Sequence, residues 1–269
     1  MVEHARHDAW QAGDSYDAYM GRWSNYIAPL FLDLLAVPRA LDWLELGCGT
    51  GVLTKAITDL CDPSSVIALD PSDGFIATAR QKVTGAHVTF RAANAESLAG
   101  MPSASFDVAV SGLVLNFVPD RIAALREMKR ITRPGGTVAF YVWDYPGGGV
   151  EFMRAFWTAA VALDPKAGDH TEDKRFPFCT EEGLLGLARD AGLDKPTVTR
   201  LEAISIFSDF EDYWQPFTLG AGPAPGYCVS LSAEARERLR GKLSETLPRQ
   251  HDGSISLRIR AWAVISQVS

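Results

Sequence analysis

The densest chemistry in the chain lies at Leu44-Glu45-Leu46-Gly47-Cys48-Gly49-Thr50-Gly51. An apolar, strand-like run ends in three alternating glycines, and a helical pattern begins directly after them. Glycine at such a place lets the backbone turn sharply and removes the Cβ atoms that would hold a ligand away. The start of the next helix offers unpaired N–H groups. This is the physics of a dinucleotide-type site, but the spacing is Gly-x-Gly-x-Gly, not the Gly-x-Gly-x-x-Gly of most nicotinamide enzymes. Asp70 stands about twenty residues further on, at the end of the next apolar run, where a carboxylate can accept hydrogen bonds from both hydroxyls of a ribose. An aspartate before Pro71 can equally be a turn residue or a helix cap. Its pairing with the glycine loop favours the ribose reading.

These residues need a sheet to hold them. Short apolar runs at 40–46, 66–69, 87–91, 106–111 and 137–143 read as strands. Helical patterns alternate with them at 52–60, 72–83 and 119–132, the second with Ser72 as N-cap. Arg133-Pro134-Gly135-Gly136 should stop the third. Strands alternating with helices imply a parallel, doubly wound sheet with right-handed crossovers. Residues 14–37 carry apolar side chains at helical spacing and read as one or two helices ahead of the sheet.

The second half reads differently. Helices are expected at 150–163, at 180–191 with Thr180 as cap, and at 232–247. Ser208-Asp209-Phe210-Glu211 has capping-box spacing and should open a short helix. Residues 220–226, rich in Gly and Pro, read as a loop. Strands are expected at 197–207 and 255–266. The fold class is therefore α/β: a Rossmann-like, doubly wound, seven-stranded sheet, mostly parallel with the last strand antiparallel. It carries an N-terminal helical segment and a helical cap before the last strand. We read residues 1–269 as one domain, with a helical cover at 1–38 and a cofactor-binding core at 39–145. Residues 146–269 supply the remaining strands and a cap at about 208–252.

Composition narrows the function. The chain of 269 residues is 47% hydrophobic and has a net charge of −7. That charge argues against a nucleic-acid partner, whose phosphates require a basic face. The basic cluster at Arg236, Arg238, Arg240 and Lys242 is interleaved with Glu234, Glu237 and Glu245, as on a solvated helix face. No apolar run is long enough to span a bilayer, and residues 4–11 do not resemble a signal peptide. Cys48, Cys61, Cys179 and Cys228 are far apart, form no metal-ligand pair, and suit a reducing, cytoplasmic compartment. No metal is expected.

Several motifs in order make the chain resemble the class I S-adenosylmethionine-dependent methyltransferases, in the branch of the ubiquinone and menaquinone biosynthesis enzymes. They are Glu45 before the glycine loop, Asp70, Asn94-Ala95-Glu96, Phe106-Asp107, and Thr132-Arg133-Pro134-Gly135-Gly136. The resemblance covers residues 43–143. It implies S-adenosylmethionine as cofactor and S-adenosylhomocysteine as product. Gly47, Cys48 and Gly49 would lie along the methionine portion, with Glu45 placing its ammonium group. Asp70 and Pro71 would sit at the ribose, and Asn94, Ala95 and Glu96 at the adenine. Ser111, Gly112 and Leu113 would flank the methionine. Residues 16–23 also look like this branch, in which such a segment covers the cofactor. Tyr19 and Arg22 are its candidates, Arg22 for the cofactor carboxylate.

The acceptor is expected to be a small molecule, beyond the ends of the fourth and fifth strands, against Asn116, Phe117, Trp143, Tyr145, Trp157 and Trp214. Transfer from a sulfonium releases a neutral thioether and needs no acid, so positioning can supply much of the acceleration. No general base stands out. Asp144 and His170 are the candidates, each more simply read as a structural or loop residue. Two other readings remain: a protein that binds the cofactor without transferring a methyl group, and a nicotinamide-dependent oxidoreductase, for which no Tyr-x-x-x-Lys pair is found. A homodimer is compatible with the sequence.

Overall fold

The computed structural model describes residues 20–96, 98, 100–220 and 222–269. A single seven-stranded sheet runs in the order β3-β2-β1-β4-β5-β7-β6. The strands are β1 (Asp42–Leu46), β2 (Ser65–Asp70), β3 (Val88–Ala92), β4 (Phe106–Gly112), β5 (Thr132–Trp143), β6 (Thr197–Phe207) and β7 (Ile255–Gln267). The first five are parallel, and β7 runs antiparallel to β5. The helices in chain order are α1 (Arg22–Leu35), α2 (Val52–Leu60), α3 (Asp73–Lys82), α4 (Arg121–Ile131), α5 (Glu151–Leu163) and α6 (Glu172–Arg175). They continue with α7 (Glu181–Asp190), α8 (Phe210–Trp214), α9 (Pro223–Ser230) and α10 (Ala233–Thr246). The sheet has the strand number, mixed direction and antiparallel last strand expected of it. Of the predicted N-terminal helical stretch, the part before residue 20 lies outside the described residues.

Backbone contacts divide the chain into two compact units. Of the described residues, one holds 24–143, 178–201 and 261–269; the other holds 20–23, 144–177 and 202–260. In the first, β1 and β4 are the central strands, and their side chains are buried on both faces from Trp43 to Leu46 and from Val108 to Ser111. Helix α4 places Ala124, Leu125, Met128 and Ile131 in the core. Asp120 caps it by accepting from the Ala123 N–H, and Lys129 and Arg130 sit in its last turn, where the helix dipole favours cations. Arg133 binds Asp42 at 3.1 Å and Asp107 at 2.7 Å, and so ties together the starts of β1 and β4.

The second unit has an aromatic core. Trp23 stacks on Phe152 at 3.8 Å and donates from its indole to Ser205 Oγ at 2.6 Å. Phe156 stacks on Phe217 at 4.5 Å, and the Tyr213 hydroxyl donates to the Phe152 carbonyl at 2.8 Å. Both tyrosine and tryptophan thus bury a ring while satisfying their polar atom.

Three local expectations are corrected. The Arg133–Gly136 turn does not precede the fifth strand but forms its bulged start. Gly135 donates to the Val268 carbonyl and Val268 donates to that of Gly136, which draws the turn into the sheet. The stretch 220–226 is a loop only at its beginning, because α9 starts at Pro223, where the missing proline N–H costs nothing. The cap of α8 is Asp209, not Ser208: Asp209 Oδ1 accepts from the Asp212 N–H at 2.8 Å, and the Asp212 carboxylate accepts from the Ser208 N–H. Replacing Asp209 by Ala is therefore expected to lower stability in urea denaturation by about 1 kcal/mol, the ordinary cost of losing a helix cap. Ser208→Ala should cost less.

Candidate functional site

Strand register brings the glycine loop and its partners to one edge of the sheet. Glu45 lies opposite Ala68 on β2 and Val110 on β4, and Leu46 lies opposite Leu69. Asp70 pairs with Ala92, and Gly112 with Tyr141. The chain therefore leaves β1, β2, β3 and β4 at Gly47, Pro71, Ala93 and Leu113 along the same carboxyl-terminal edge. Because β1 connects toward β2 while β4 lies on its other side, this is a topological switch point, where open α/β sheets bind ligands.

The loop is built from left-handed backbone. Gly47, Gly49 and Gly51 have φ of 74°, 52° and 89°. At Gly47 a Cβ would stand 2.4 Å from Val114 Cγ1, so the position accepts no side chain. At Gly49 a Cβ would meet nothing within 4 Å, so the space beside this residue is open. The loop is fixed to β2: Gly47 and Cys48 both donate to the Leu69 carbonyl, at 2.7 and 2.8 Å. Gly49 donates to Asp70 Oδ2 at 2.9 Å, and the Ser72 N–H donates to Asp70 Oδ1 at 2.9 Å. Burial raises the Asp70 pKa, and these two N–H bonds partly offset it.

Glu45 is buried completely, and desolvation pushes its pKa up to about 8. Thr54, in the first turn of α2, donates to its Oε2 at 2.5 Å and works against that shift. At neutral pH the carboxyl is therefore mostly protonated in the absence of a cation. The sequence gives no hint of Thr54 beyond its position after the glycine loop, and none of Val114.

Ser111 is buried and donates to the Leu46 carbonyl at 2.9 Å. Leu113 takes a left-handed conformation with φ of 61°, unusual for a side chain with a Cγ branch. Gly112 has no room for a side chain, because a Cβ would lie 2.7 Å from the Tyr141 hydroxyl. Asn94 is exposed and its Oδ1 accepts from the Glu96 N–H, while Glu96 Oε1 accepts from the Asp120 N–H. Tyr19 lies outside the described residues. Arg22 binds Asp212 at 2.6 Å and donates to the Ile206 carbonyl.

The acceptor residues separate into two groups. In the first unit, Asn116 and Trp143 are buried and Phe117 is exposed. Neither amide atom of the Asn116 side chain has a hydrogen-bond partner among the described residues. In the second unit, Tyr145 and Trp157 line a cavity of roughly 390 Å³. Trp214 is not in its lining and stacks on Phe210 instead. Glu172, which sequence reasoning did not single out, lines the cavity and accepts from the Trp157 indole at 2.5 Å. Of the two general-base candidates, Asp144 accepts from Arg260 Nε and from the Gly147 N–H, one bond to each oxygen. His170 is exposed, beside Tyr227.

Sheet order, glycine loop and carboxylates together define the Rossmann-like fold of the class I methyltransferases. Residues 44–140 match the family described as "Methyltransferase domain". The chain is also similar to methyltransferases of quinone biosynthesis. It is 32% identical over 159 residues to the ubiquinone biosynthesis O-methyltransferase of Methylococcus capsulatus, covering 56% of this chain and 62% of that relative. It is 34% identical over 109 residues to the demethylmenaquinone methyltransferase of Bacillus licheniformis, covering 40% of this chain and 47% of that one. The chain thus spans less than two thirds of the length of either. Among solved structures, phosphoethanolamine N-methyltransferase 2 of Haemonchus contortus, in complex with S-adenosyl-L-methionine, shares the fold. Its TM-score is 0.60 at 16% identity, over 97% of this chain and 58% of that one.

Glu45 also sets a pH dependence. Its folded pKa of about 8 lies above the ordinary value of 4.5, so the folded state keeps a proton that the unfolded chain loses. Its contribution is fully present below 4.5 and is lost as pH rises toward 8. Glu45→Gln should flatten that decline in urea unfolding series run between pH 5 and 8; an unchanged slope would mean that Glu45 ionises normally.

Proposed function

We propose that the chain is an S-adenosylmethionine-dependent methyltransferase acting on a small-molecule acceptor. The observation that carries the reading is a pair of buried carboxyls, Glu45 and Asp70, on adjacent strands beside an open glycine loop. They supply hydrogen-bond acceptors where an ammonium group and a ribose diol require them. The match of residues 44–140 to methyltransferase domains supports it. A nicotinamide reading has no comparable support.

The residues present fit the cofactor. Asp70 is already oriented by the Gly49 and Ser72 N–H groups, and its remaining lone pairs can accept the two ribose hydroxyls. Glu45, protonated when alone, would give up its proton to face an ammonium group. Gly47, Cys48 and Gly49 provide a backbone surface without bulk, and Ser111, Gly112 and Leu113 a second one. Pro71, Asn94, Ala95 and Glu96 would frame the adenosine. Once bound, the cofactor would supply a methyl group on a sulfonium whose leaving group is a neutral thioether. The chain's part is then to hold the acceptor in line and exclude water, for which positioning alone can be worth several kcal/mol. We assign Arg22 to the packing of its own unit, because Asp212 and the Ile206 carbonyl engage its guanidinium.

Asn116 supports an acceptor contact. A buried amide with both polar atoms unpaired is rare in folded proteins and requires a ligand or a water to satisfy it. The acidic net charge favours a small acceptor over nucleic acid. The four cysteines, far apart in sequence and without a metal-ligand pair, suit a reducing, cytoplasmic setting. Among the described residues, no helix is long and apolar enough to cross a membrane.

Calorimetric titration with S-adenosylhomocysteine, with NAD in a parallel cell, tests the reading. Saturable one-to-one binding of the first is expected. Asp70→Ala should weaken it at least about tenfold, since a hydrogen bond to a charged group contributes about 1.5–3 kcal/mol. Binding of NAD alone would overturn the assignment. Asn116→Leu, which removes an unsatisfied amide at nearly constant shape, should leave the melting temperature unchanged or higher. It should lower the rate of methyl transfer to any acceptor found; a lower melting temperature would show that Asn116 is structural.

A further inference from the structure

The cavity in the second unit carries a group that the methyltransferase reading does not use. It is lined by the α5 residues Met153, Arg154, Trp157, Thr158 and Val161, by the segment after β5, and by the start of α6. At roughly 390 Å³ it lies at the small end of the range of about 300–1,000 Å³ for small-molecule pockets. Glu172 stands in this lining, 5% exposed. Its Oε2 accepts from the Trp157 indole, and its buried Oε1 has no hydrogen-bond partner among the described residues.

We propose that this cavity is a binding site for a small primary amine with an aromatic body, whose ammonium group donates to Glu172 Oε1. An unpaired buried carboxylate oxygen is costly, and a donor is what satisfies it. Two features favour a cation over a neutral hydroxyl. Glu172 and Asp173 place two carboxyls in the lining against one lining guanidinium, Arg154, which already faces Glu151 at 3.6 Å; Arg175, outside the lining, also acts on Glu172. Trp157 and Tyr145 contribute aromatic faces, which attract cations and pack against a ring. Burial pushes the Glu172 pKa up to about 7; its own backbone N–H, then the indole bond and Arg175, lower it, and Asp173 raises it. An ammonium group in the cavity would favour the ionised form. The site is defined by its own side chains and stands whether or not the chain transfers methyl groups.

The test uses 2-phenylethylamine and its neutral counterpart 2-phenylethanol, titrated calorimetrically at pH 8 into the full chain, with S-adenosylhomocysteine titrated separately. The amine should bind at least tenfold more tightly than the alcohol. Glu172→Gln, which keeps an acceptor for Trp157 but removes the charge, should abolish that preference. Val161→Trp, which fills the cavity, should weaken both ligands. Equal binding of amine and alcohol to the parent protein, or a preference that survives Glu172→Gln, overturns the inference. Thermal melts of both variants, with retained binding of S-adenosylhomocysteine, separate loss of the site from loss of fold. If S-adenosylhomocysteine binds and the amine does not, only the present inference fails. If the amine binds and S-adenosylhomocysteine does not, the cofactor reading fails instead.

Discussion

Three successive N–H groups of the glycine loop, those of Gly47, Cys48 and Gly49, are bonded to the end of the neighbouring strand. Two reach the Leu69 carbonyl and the third reaches the Asp70 carboxylate. Much of the site follows from this attachment. It forces left-handed backbone at Gly47 and Gly49, which is why glycine stands there. It sets the entry of α2, whose first turn carries Thr54 against Glu45. It also orients Asp70 before any ligand arrives, so that a bound ribose would meet a preorganised acceptor rather than a mobile side chain.

The same edge concentrates unfavourable electrostatics. Glu45 and Asp70 are two carboxyls out of water on adjacent strands, each raised by burial, and Asp70 adds to the shift of Glu45. Structural carboxyls are more commonly paired with a cation and lowered, as Asp107 is by Arg133 at the opposite end of β4. The two ends of the sheet thus differ: one carries a stabilising network of ion pairs, the other two carboxyls raised by burial. Perturbed carboxyls at a switch point are candidates for function, whereas the Arg133 pairs with Asp42 and Asp107 hold strand starts together.

Much of the first unit was legible because its signals are local. The alternation of apolar runs and helical patterns, the Ser72 and Thr180 caps, and the spacing from Gly47 to Asp70 each depend on neighbours in sequence, and the elements formed close to where they were expected. The errors were also local in cause. Asp209 and Ser208 both cap well, and the choice between them was settled by Asp212, a helical residue whose carboxylate reaches back to the Ser208 N–H. The Arg133–Gly136 turn was drawn into β5 by hydrogen bonds to Val268, more than a hundred residues away by sequence and so invisible to pattern reading. Glu172 was missed for a similar reason. Nothing around it in sequence distinguishes it from a surface glutamate in a polar run. Its burial comes from packing with α5, where Trp157 holds it. Arg22 and Asp144 have guanidinium or carboxylate chemistry suited to a site, yet their partners, Asp212 and Arg260, come from distant parts of the chain.

Cys48 gives the glycine loop one more property. Its side chain is buried, and burial together with the nearby Glu45 and Asp70 carboxyls raises its pKa far above the ordinary thiol range. Only the thiolate attacks electrophiles or disulfides at useful rates. Burial first, and then the acidic surroundings, thus disfavour the thiolate and lower the reactivity of this cysteine. Chemical modification of the folded chain would begin elsewhere, at the partly exposed Cys61.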